Sequence, residues 1–149
     1  MKIIAKNKRA GFDFELLEKY EAGLVLRGFE VKAIKNGRVN LIGAHIIIRD
    51  NEPLLVGADV PPYQPKNTPP GYDSQRTRKL LLRRAEIKKF AGRVQEKGLT
   101  LVPVSIYTKQ GKIKLEFALA RGKRRQDKRQ KIAQRESERR IQRAFRGKF

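Results

Sequence analysis

The chain has 149 residues, which suits one domain with an appended tail and is short for a two-domain enzyme. Its 36 Lys and Arg residues against 15 Asp and Glu give a formal net charge of +21, which predicts a polyanionic partner. Cysteine is absent, which excludes disulfides, thiolate metal sites and cysteine nucleophiles. With no apolar run of about 18 residues, we expect a cytoplasmic protein with neither a targeting segment nor a membrane contact.

The N-terminal stretch NKRAGFDF combines an amide and two cations with aromatic rings, because Asn7, Lys8 and Arg9 precede Phe12 and Phe14. These groups suit unpaired or looped RNA, whose bases can be stacked on rings and read at their edges. A basic N-terminus followed by two core phenylalanines explains the same residues equally well.

The following segments predict short helices and strands. DFELLEKYEAG predicts a helix that Asp13 caps and Gly23 ends, and EVKAIKNGR predicts another. AGLVLRG, AHIIIRD and EPLLVGADV predict antiparallel strands, because they are short β-branched or leucine-rich runs bounded by turn residues. PPYQPKNTPPGYD holds five of the seven prolines and predicts an extended loop.

After that loop, the spacing of apolar residues in SQRTRKLLLRRAEIKKFAGRVQEKG predicts a pair of helices with a bend near Arg84. Successive residues of a helix point in different directions, so one of Leu80, Leu81 and Leu82 is expected to face outward, against nucleobases. The basic side chains around these leucines are candidate RNA contacts: Arg76, Arg78, Lys79, Arg83 and Arg84.

The segment LTLVPVSIYTKQGKIKLEFALARG predicts a long β-hairpin with its turn at residues 109–111. Lys112 and Lys114 alternate with apolar residues, so one face of this arm packs inward while the other carries positive charge outward. Five or six antiparallel strands with interspersed helices predict an α+β fold, a small closed β-barrel of the oligonucleotide-binding type with flanking helices.

The C-terminal segment differs from the rest in charge. About half of the net positive charge lies in residues 121–149, which contain few apolar residues and no proline. We therefore expect an RNA-binding barrel domain over residues 1–122 and a basic tail over residues 123–149. Self-repulsion predicts that the tail is disordered alone, and its composition predicts a helix once a polyanion neutralises it.

The residues that could support catalysis are few. His45 is the single histidine and adjoins an isoleucine run, which is typical of a strand residue. Ser74, Ser105 and Ser137 lie outside any Gly-x-Ser-x-Gly pattern, and ARGKRR lacks the first glycine and the final Ser or Thr of a phosphate-binding loop. We expect no catalytic residue, no metal site and no cofactor.

Three strings, YEAGLVLRGFEVKAIKNGRVNL, RTRKLLLRRAEIKKFAGRVQEKGLTLVPVSIY and KIKLEFALARGKRRQDKR, closely resemble in order and spacing the SsrA-binding protein family, also called small protein B. The resemblance extends from Asn7 to Arg129. It implies a bacterial-type protein that binds transfer-messenger RNA (tmRNA) and delivers it to ribosomes stalled on messages lacking a stop codon. It also implies mimicry, in which the protein occupies the place of the anticodon stem that the tRNA-like half of this RNA lacks.

The resemblance extends to individual residues of the body. Glu21 of EAG and Leu81 of KLLL match family positions that contact the looped elbow of the RNA, and Asn7 opens the family's N-terminal motif. A further set matches positions where the family places basic residues, and the glycine between them, against RNA: Lys112, Arg121, Gly122, Lys123 and Arg124.

In the tail, the resemblance implies that Asp127, Lys128 and Arg129 reach the decoding centre of the ribosome. We hypothesise that further basic residues neutralise the walls of the empty message channel, so that an intact message excludes the protein: Lys131, Arg135, Arg139, Arg140 and Arg143. Two departures from the family predict altered docking: Gln126 replaces a histidine or tyrosine, and QRESERR, around Ser137, replaces a stretch with a bulky apolar residue.

The expected partners are tmRNA, the ribosome and, indirectly through the charged RNA, elongation factor Tu, with the protein acting as a monomer. Charge alone leaves an alternative open, a ribosomal or RNA-chaperone protein that binds structured RNA electrostatically and without specificity. The two differ at Glu21, because a carboxylate in an RNA site repels phosphates and serves only to accept hydrogen bonds from bases or sugars.

Overall fold

The computed structural model describes residues 1–96 and 98–123. Antiparallel strands dominate it, accompanied by three α-helices and one 3₁₀ turn within these residues. In chain order the elements are β1 Lys2–Lys6, α1 Ala10–Asp13, β2 Phe14–Leu24, α2 Gly28–Lys35, β3 His45–Arg49, β4 Glu52–Val56, the 3₁₀ turn Pro65–Asn67, β5 Arg78–Leu81, α3 Arg84–Val94, β6 Leu99–Lys109 and β7 Lys112–Gly122.

Six of the strands close into a barrel. Starting from β2, the hydrogen-bonded neighbours are β7, β6, β3, β4 and β5, and β5 pairs with β2 again. Strand β1 lies outside this ring and extends the sheet along the free part of the β6 edge. Every one of these pairings is antiparallel, which confirms the predicted barrel with flanking helices.

The predicted hairpin is confirmed and consists of β6 and β7. These two strands and β2 are the longest strands in the described residues. Lys109 pairs with Lys112 across a two-residue turn, in which Gln110 and Gly111 have φ values of 52° and 75°. Positive φ at both positions is typical of a type I′ turn, whose twist matches that of the strands. The expected alternation is present, since Leu115 is fully buried while Lys112 is exposed.

An aromatic cluster joins α3 to the barrel. Phe90 of α3 is buried against Phe117 of β7, with ring centroids 5.4 Å apart, and against Tyr20 of β2 at 4.7 Å. Both pairs have the edge-to-face arrangement that aromatic rings favour. This helix therefore covers one side of the barrel with its apolar face and leaves its charged residues outward.

The predicted helix over DFELLEKYEAG is wrong. The segment forms β2, paired along its length with β7 and at Gly23 and Leu24 with β5. Asp13 is the last residue of the short helix α1 and not the N-cap of a helix. Glutamate, leucine and lysine favour helices locally, but two strand partners supply hydrogen bonds and burial that this weak preference does not match.

The prediction of paired helices after the proline-rich loop is wrong in its first half, since residues 78–81 form β5 and the helix begins at Arg84. The remaining predictions are confirmed. EVKAIKNGR overlaps α2, which begins two residues earlier at Gly28, AHIIIRD and EPLLVGADV contain β3 and β4, and the proline-rich stretch is a loop with one 3₁₀ turn. AGLVLRG is a strand only as far as Leu24.

Candidate RNA-binding surface

Strands β5, β2 and β7 bring Leu81, Glu21 and Lys114 together on the outer face of the barrel. Gly23 pairs with Leu81 on one side and with Lys114 on the other, so these residues share a face. Glu21 lies two residues before Gly23 and therefore points to the same side. All four line a shallow depression of about 700 Å³. We call six of the outward side chains here the Glu21–Leu81 surface: Glu21, Lys79, Leu81, Lys109, Lys112 and Lys114.

Leu81 is an exposed apolar side chain at a position that the backbone prepares. It is 56 % exposed, whereas its neighbour Leu80 is 1 % exposed in the core. A Cβ atom on Gly23 would lie 3.3 Å from Leu81 Cδ1, so the glycine lets the leucine lie close over β2. The prediction that one leucine of this run faces outward is confirmed, although the alternation of a strand, not a helix, places it there.

The carboxylate of Glu21 is held in one orientation. The hydroxyl of Tyr107 donates a hydrogen bond to Oε2, and Lys109 Nζ lies 3.6 Å from the same oxygen. The Tyr107 hydrogen bond lowers the pKa of Glu21, while burial raises that of the tyrosine. Both contacts use Oε2, so within the described residues Oε1 is left to accept from a base edge or a ribose hydroxyl.

Tyr107, Lys109 and Gly23 are not among the residues predicted from the sequence to form the RNA-binding site. The signal for Tyr107 and Lys109 lies in the hairpin: a two-residue turn at 110–111 places Lys109 opposite Lys112 and Tyr107 opposite Lys114. Both belong to the same outer face as the predicted lysines. The role of Gly23 depends on its pairing with Leu81, which sequence spacing does not indicate.

The N-terminal candidates lie at a turn after β1. Asn7 is buried, and its amide donates to the Pro103 carbonyl at 2.9 Å and accepts from the Arg9 amide at 3.2 Å. Asn7 therefore fixes the turn, and Lys8 and Arg9 carry the exposed charges. The Arg9 guanidinium lies 5.2 Å above the Phe12 ring and 3.5 Å from Asp13. Phe14 packs on a small buried cluster, as the core interpretation of this segment predicts.

The end of β7 meets this N-terminal turn. Lys123 donates from its backbone amide to the Asp13 carbonyl at 3.1 Å and from Nζ to the Gly11 carbonyl at 2.7 Å. Gly122 pairs with Phe14. The predicted residues 121–123 thus join Lys8 and Arg9 in a second basic group. Ten residues of strand separate it from Lys112, or about 30 Å along β7.

The prediction of Arg78 as an RNA contact is wrong, because this side chain is buried. It points into the protein from β5, is 1 % exposed, and pairs with the fully buried Glu30 of α2, its Nε donating at 2.8 Å. Arg76 and Tyr72 also donate to Glu30. Burial acts to raise the pKa of Glu30, but the hydrogen bonds from Arg76, the Arg27 amide and Arg78 outweigh it and lower the pKa to about 2.

This buried cluster has a structural role. A buried ion pair of this kind stabilises only when its remaining donors are satisfied, and Arg78 meets that condition by also donating to the carbonyls of Ala58, Ser74 and Arg76. Glu30 thereby ties α2 to β5 and to the proline-rich loop. Lys79, the next residue, points outward onto the Glu21–Leu81 surface, with its Nζ 3.6 Å from Glu52.

Arg83 and Arg84 are exposed at the start of α3, and Arg83 also lines the depression beside Leu81. The tail candidates lie outside the described residues: Arg124, Asp127, Lys128, Arg129, Lys131, Arg135, Arg139, Arg140 and Arg143. None of the helices in residues 1–96 and 98–123 is long and apolar enough to cross a membrane.

The chain matches a known protein family along nearly its whole length. The family described as SmpB protein matches residues 4–147. The chain belongs to the SmpB family. An SsrA-binding protein from Sulfurihydrogenibium sp. (strain YO3AOP1) is 46 % identical, with 99 % of this chain and 97 % of that one covered. One from Frankia casuarinae is 50 % identical, with 97 % and 90 % covered.

A solved structure of an SmpB-family protein has the same fold. It is described as "tmRNA-SmpB: a journey to the center of the bacterial ribosome", has a TM-score of 0.69 and 41 % identity, and is covered to 93 % by 86 % of this chain. SmpB-family proteins are RNA-binding proteins and not enzymes. The resemblance identified in the sequence is confirmed.

Proposed function

We propose that this protein binds the tRNA-like half of tmRNA and delivers it to stalled ribosomes for trans-translation, taking the place of the missing anticodon arm. The proposal rests on one observation: Glu21 and Leu81, sixty residues apart in the chain, meet on one outer face beside Lys114. It is supported by relatives named SsrA-binding protein and by a similar protein solved with tmRNA in the bacterial ribosome.

The chemistry of the Glu21–Leu81 surface suits looped RNA. Leu81 offers an apolar surface to an unstacked base, and Glu21 Oε1 accepts from an exocyclic amine or a 2′-hydroxyl. Lys79, Lys112 and Lys114 surround them and neutralise phosphates. A purely electrostatic binder has no use for an oriented carboxylate at the centre of its RNA site, so this arrangement favours specific recognition of a loop.

The second basic group extends this interface. Lys8, Arg9, Arg121 and Lys123 contact RNA phosphates at the far end of β7, and Asn7 positions the first two by fixing the turn. Residues 1–122 form the RNA-binding domain, and the tail starts at Lys123, where hydrogen bonds to α1 anchor it. The protein acts as a monomer in the cytoplasm and meets elongation factor Tu only through the charged RNA.

The tail senses the empty message channel in this mechanism. Lys128 and Arg129 hold its root at the decoding centre, beside Asp127, and the basic residues beyond them neutralise the channel walls. Its high charge and helix-forming composition support a helix surrounded by RNA phosphates. An intact message occupies the same channel and excludes the protein, so delivery is confined to vacant ribosomes.

The test of RNA recognition is purification of the protein from a bacterial extract followed by sequencing of the bound RNA. We expect one dominant transcript, tmRNA, for the wild type, and its loss for Glu21→Ala. The control is Glu96→Ala, at an exposed carboxylate whose ion-pair partner, Arg93, is not a proposed RNA contact. A ladder of ribosomal RNA from the wild type would support the non-specific alternative. Tighter binding of all RNAs by Glu21→Ala would contradict a specific role of the carboxylate.

The tail is tested by peptide tagging on stalled ribosomes. We expect tagging to fail for Asp127→Ala combined with Lys128→Ala, and for a charge-preserving shuffle of residues 126–149, while both proteins still bind tmRNA. Full tagging by the shuffled tail would refute an anchored helix and leave an electrostatic arm.

A further inference from the structure

A pocket separate from the Glu21–Leu81 surface lies between α2 and the proline-rich loop. Its volume is about 500 Å³, within the roughly 300–1,000 Å³ typical of small-molecule sites. Among the described residues, its lining shares none with the Glu21–Leu81 surface and includes no carboxylate. The lining residues are Gly28, Phe29, Lys32, Tyr63, Gln64 and Asn67.

The aromatic component of this pocket is Tyr63. This residue is 39 % exposed, so it is not part of the core. The Arg38 guanidinium lies 5.4 Å from the ring centroid and donates to the Pro62 carbonyl at 3.1 Å, which holds both groups in place. Because Arg38 lies over one face of the ring and does not line the pocket, the face of Tyr63 towards the pocket is the one available to stack a nucleobase.

Two amide side chains provide polar groups beside the ring. Asn67 Nδ2 donates to Gln64 Oε1 at 2.7 Å across the 3₁₀ turn. Within the described residues, this bond leaves the Gln64 amine as a donor and the Asn67 carbonyl as an acceptor, both at the pocket. An adjacent donor and acceptor match the pattern on the edge of a nucleobase, which a phosphate lacks.

Charge and rigidity point to the same ligand. Lys32 lines the pocket, Lys66 belongs to the 3₁₀ turn beside it and Arg38 lies over the Tyr63 ring. Within residues 1–96 and 98–123 none of these three cations forms an ion pair with a carboxylate. The back wall is fixed, because Phe29 packs edge-to-face on Tyr72 at 4.8 Å and Tyr72 is hydrogen-bonded to buried Glu30. A preformed site loses less conformational entropy when it binds.

We propose that this pocket binds one unpaired nucleotide of an RNA partner, with the base on the pocket face of the Tyr63 ring, the base edge at Gln64 and Asn67, and the phosphate at Lys32. The inference goes beyond the proposed function: it requires that the protein bind RNA, but not that Glu21 and Leu81 recognise tmRNA. The nucleotide belongs either to tmRNA or to ribosomal RNA, and the experiment separates these sources.

The experiment measures the affinity of the full-length protein for tmRNA and for vacant ribosomes. The variants are Tyr63→Leu, which removes the ring, and Tyr63→Phe, which keeps it. Ile47→Ala serves as a control at a residue of similar exposure, 37 %, on β3. Circular dichroism checks that each variant is folded. We expect Tyr63→Leu to weaken binding to one of the two partners about tenfold, as loss of a stacked base does, while Tyr63→Phe and Ile47→Ala bind as the wild type.

The partner whose affinity falls identifies the source of the nucleotide. A change below twofold for both partners would overturn the proposal, as would an equal loss for Tyr63→Phe, which would assign the effect to the hydroxyl. Ultraviolet cross-linking provides a second measurement: a nucleotide adduct on the tryptic peptide with Tyr63 supports the site, and a cross-link to a ribosomal protein instead refutes it.

Leu81→Ala in the same assay separates this inference from the proposed function. If Leu81→Ala leaves tmRNA affinity unchanged while Tyr63→Leu lowers affinity for either partner, the pocket stands and the Glu21–Leu81 surface fails. The converse result rejects the pocket alone.

Discussion

Replacing Leu81 with alanine removes the apolar centre of the Glu21–Leu81 surface with little effect on the fold. Leu81 is 56 % exposed, so an RNA that covers it gains up to about 0.8–1.7 kcal/mol if complete burial of a leucine is worth about 1.5–3 kcal/mol. Loss of this contribution in Leu81→Ala raises the Kd for tmRNA by up to about 4- to 17-fold. The part already buried in the free protein predicts a loss of about 1 kcal/mol in the free energy of unfolding.

The assay is filter binding of radiolabelled tmRNA at fixed salt, with an ordinary transfer RNA as competitor. Leu17→Ala is the matched control, because Leu17 is another exposed leucine of the barrel, on β2 but outside the Glu21–Leu81 surface. We expect Leu81→Ala to lose affinity for tmRNA specifically and Leu17→Ala to bind as the wild type. Equal Kd values for Leu81→Ala and the wild type, or the same loss for both variants, would refute the assignment of Leu81 as a base contact.

Four other predictions follow from the structure. Lys112→Ala lowers affinity for all structured RNAs alike and reduces the slope of log K against log salt by about 0.9, whereas an unchanged slope would exclude a phosphate contact. Gly23→Ala places a Cβ 3.3 Å from Leu81 Cδ1, so it lowers tmRNA affinity by displacing the leucine, with no fall in Tm; unaltered affinity would argue against this packing. Glu30→Gln lowers the free energy of unfolding by about 3 kcal/mol at pH 7. Because folding lowers the pKa of Glu30 from 4.5 to about 2, its stabilisation is present above pH 4.5 and is lost as the pH falls towards 2, so urea unfolding at pH 3 should show a smaller difference between variant and wild type; a constant difference would contradict the assigned pKa. A protein ending at Gly122 keeps its preference for tmRNA over ordinary transfer RNA in competition binding, and equal affinities would move discrimination into the tail.

The parts of the fold that the sequence predicted correctly are those specified by neighbours in the chain. The β6–β7 hairpin combines strict alternation of apolar and polar residues with the turn residues Gln110 and Gly111. The apolar patterns of α2 and β3 are likewise visible within each segment alone. Strand β1 escaped prediction because residues 2–6 contribute little to the core and depend on pairing with β6, a hundred residues later. Propensity does not detect a partner at that distance.

The error over β5 has a specific cause. In this strand Arg78 and Leu80 point inward while Lys79 and Leu81 point outward, so the alternation is real but one inward position is a charged residue. An arginine in the core is compatible only with a buried counter-charge, and that counter-charge is Glu30, 48 residues earlier. Because the sequence does not reveal this buried partner, Arg78 was predicted to contact RNA.

The candidate site was predicted from family resemblance more than from physical pattern. Composition and charge indicated an RNA partner but did not select Glu21 over the other carboxylates of β2. The helical pattern predicted that one of three leucines faces outward without saying which one. The barrel explains the selection, because closure of β5 onto β2 is what sets Leu81 beside Gly23 and Glu21.

The order of the strands also constrains how the protein is made. The first residues of β2 pair with the last residues of β7, Phe14 with Gly122, so the ring closes between segments 108 residues apart in the chain. Contacts this distant form late, because the intervening chain must first be ordered. During synthesis the barrel therefore waits for its final strand, and β2 has one long open edge until then. A message cut short before the codon for Lys112 yields a polypeptide without β7, so it has no strand to close the ring between β2 and β6.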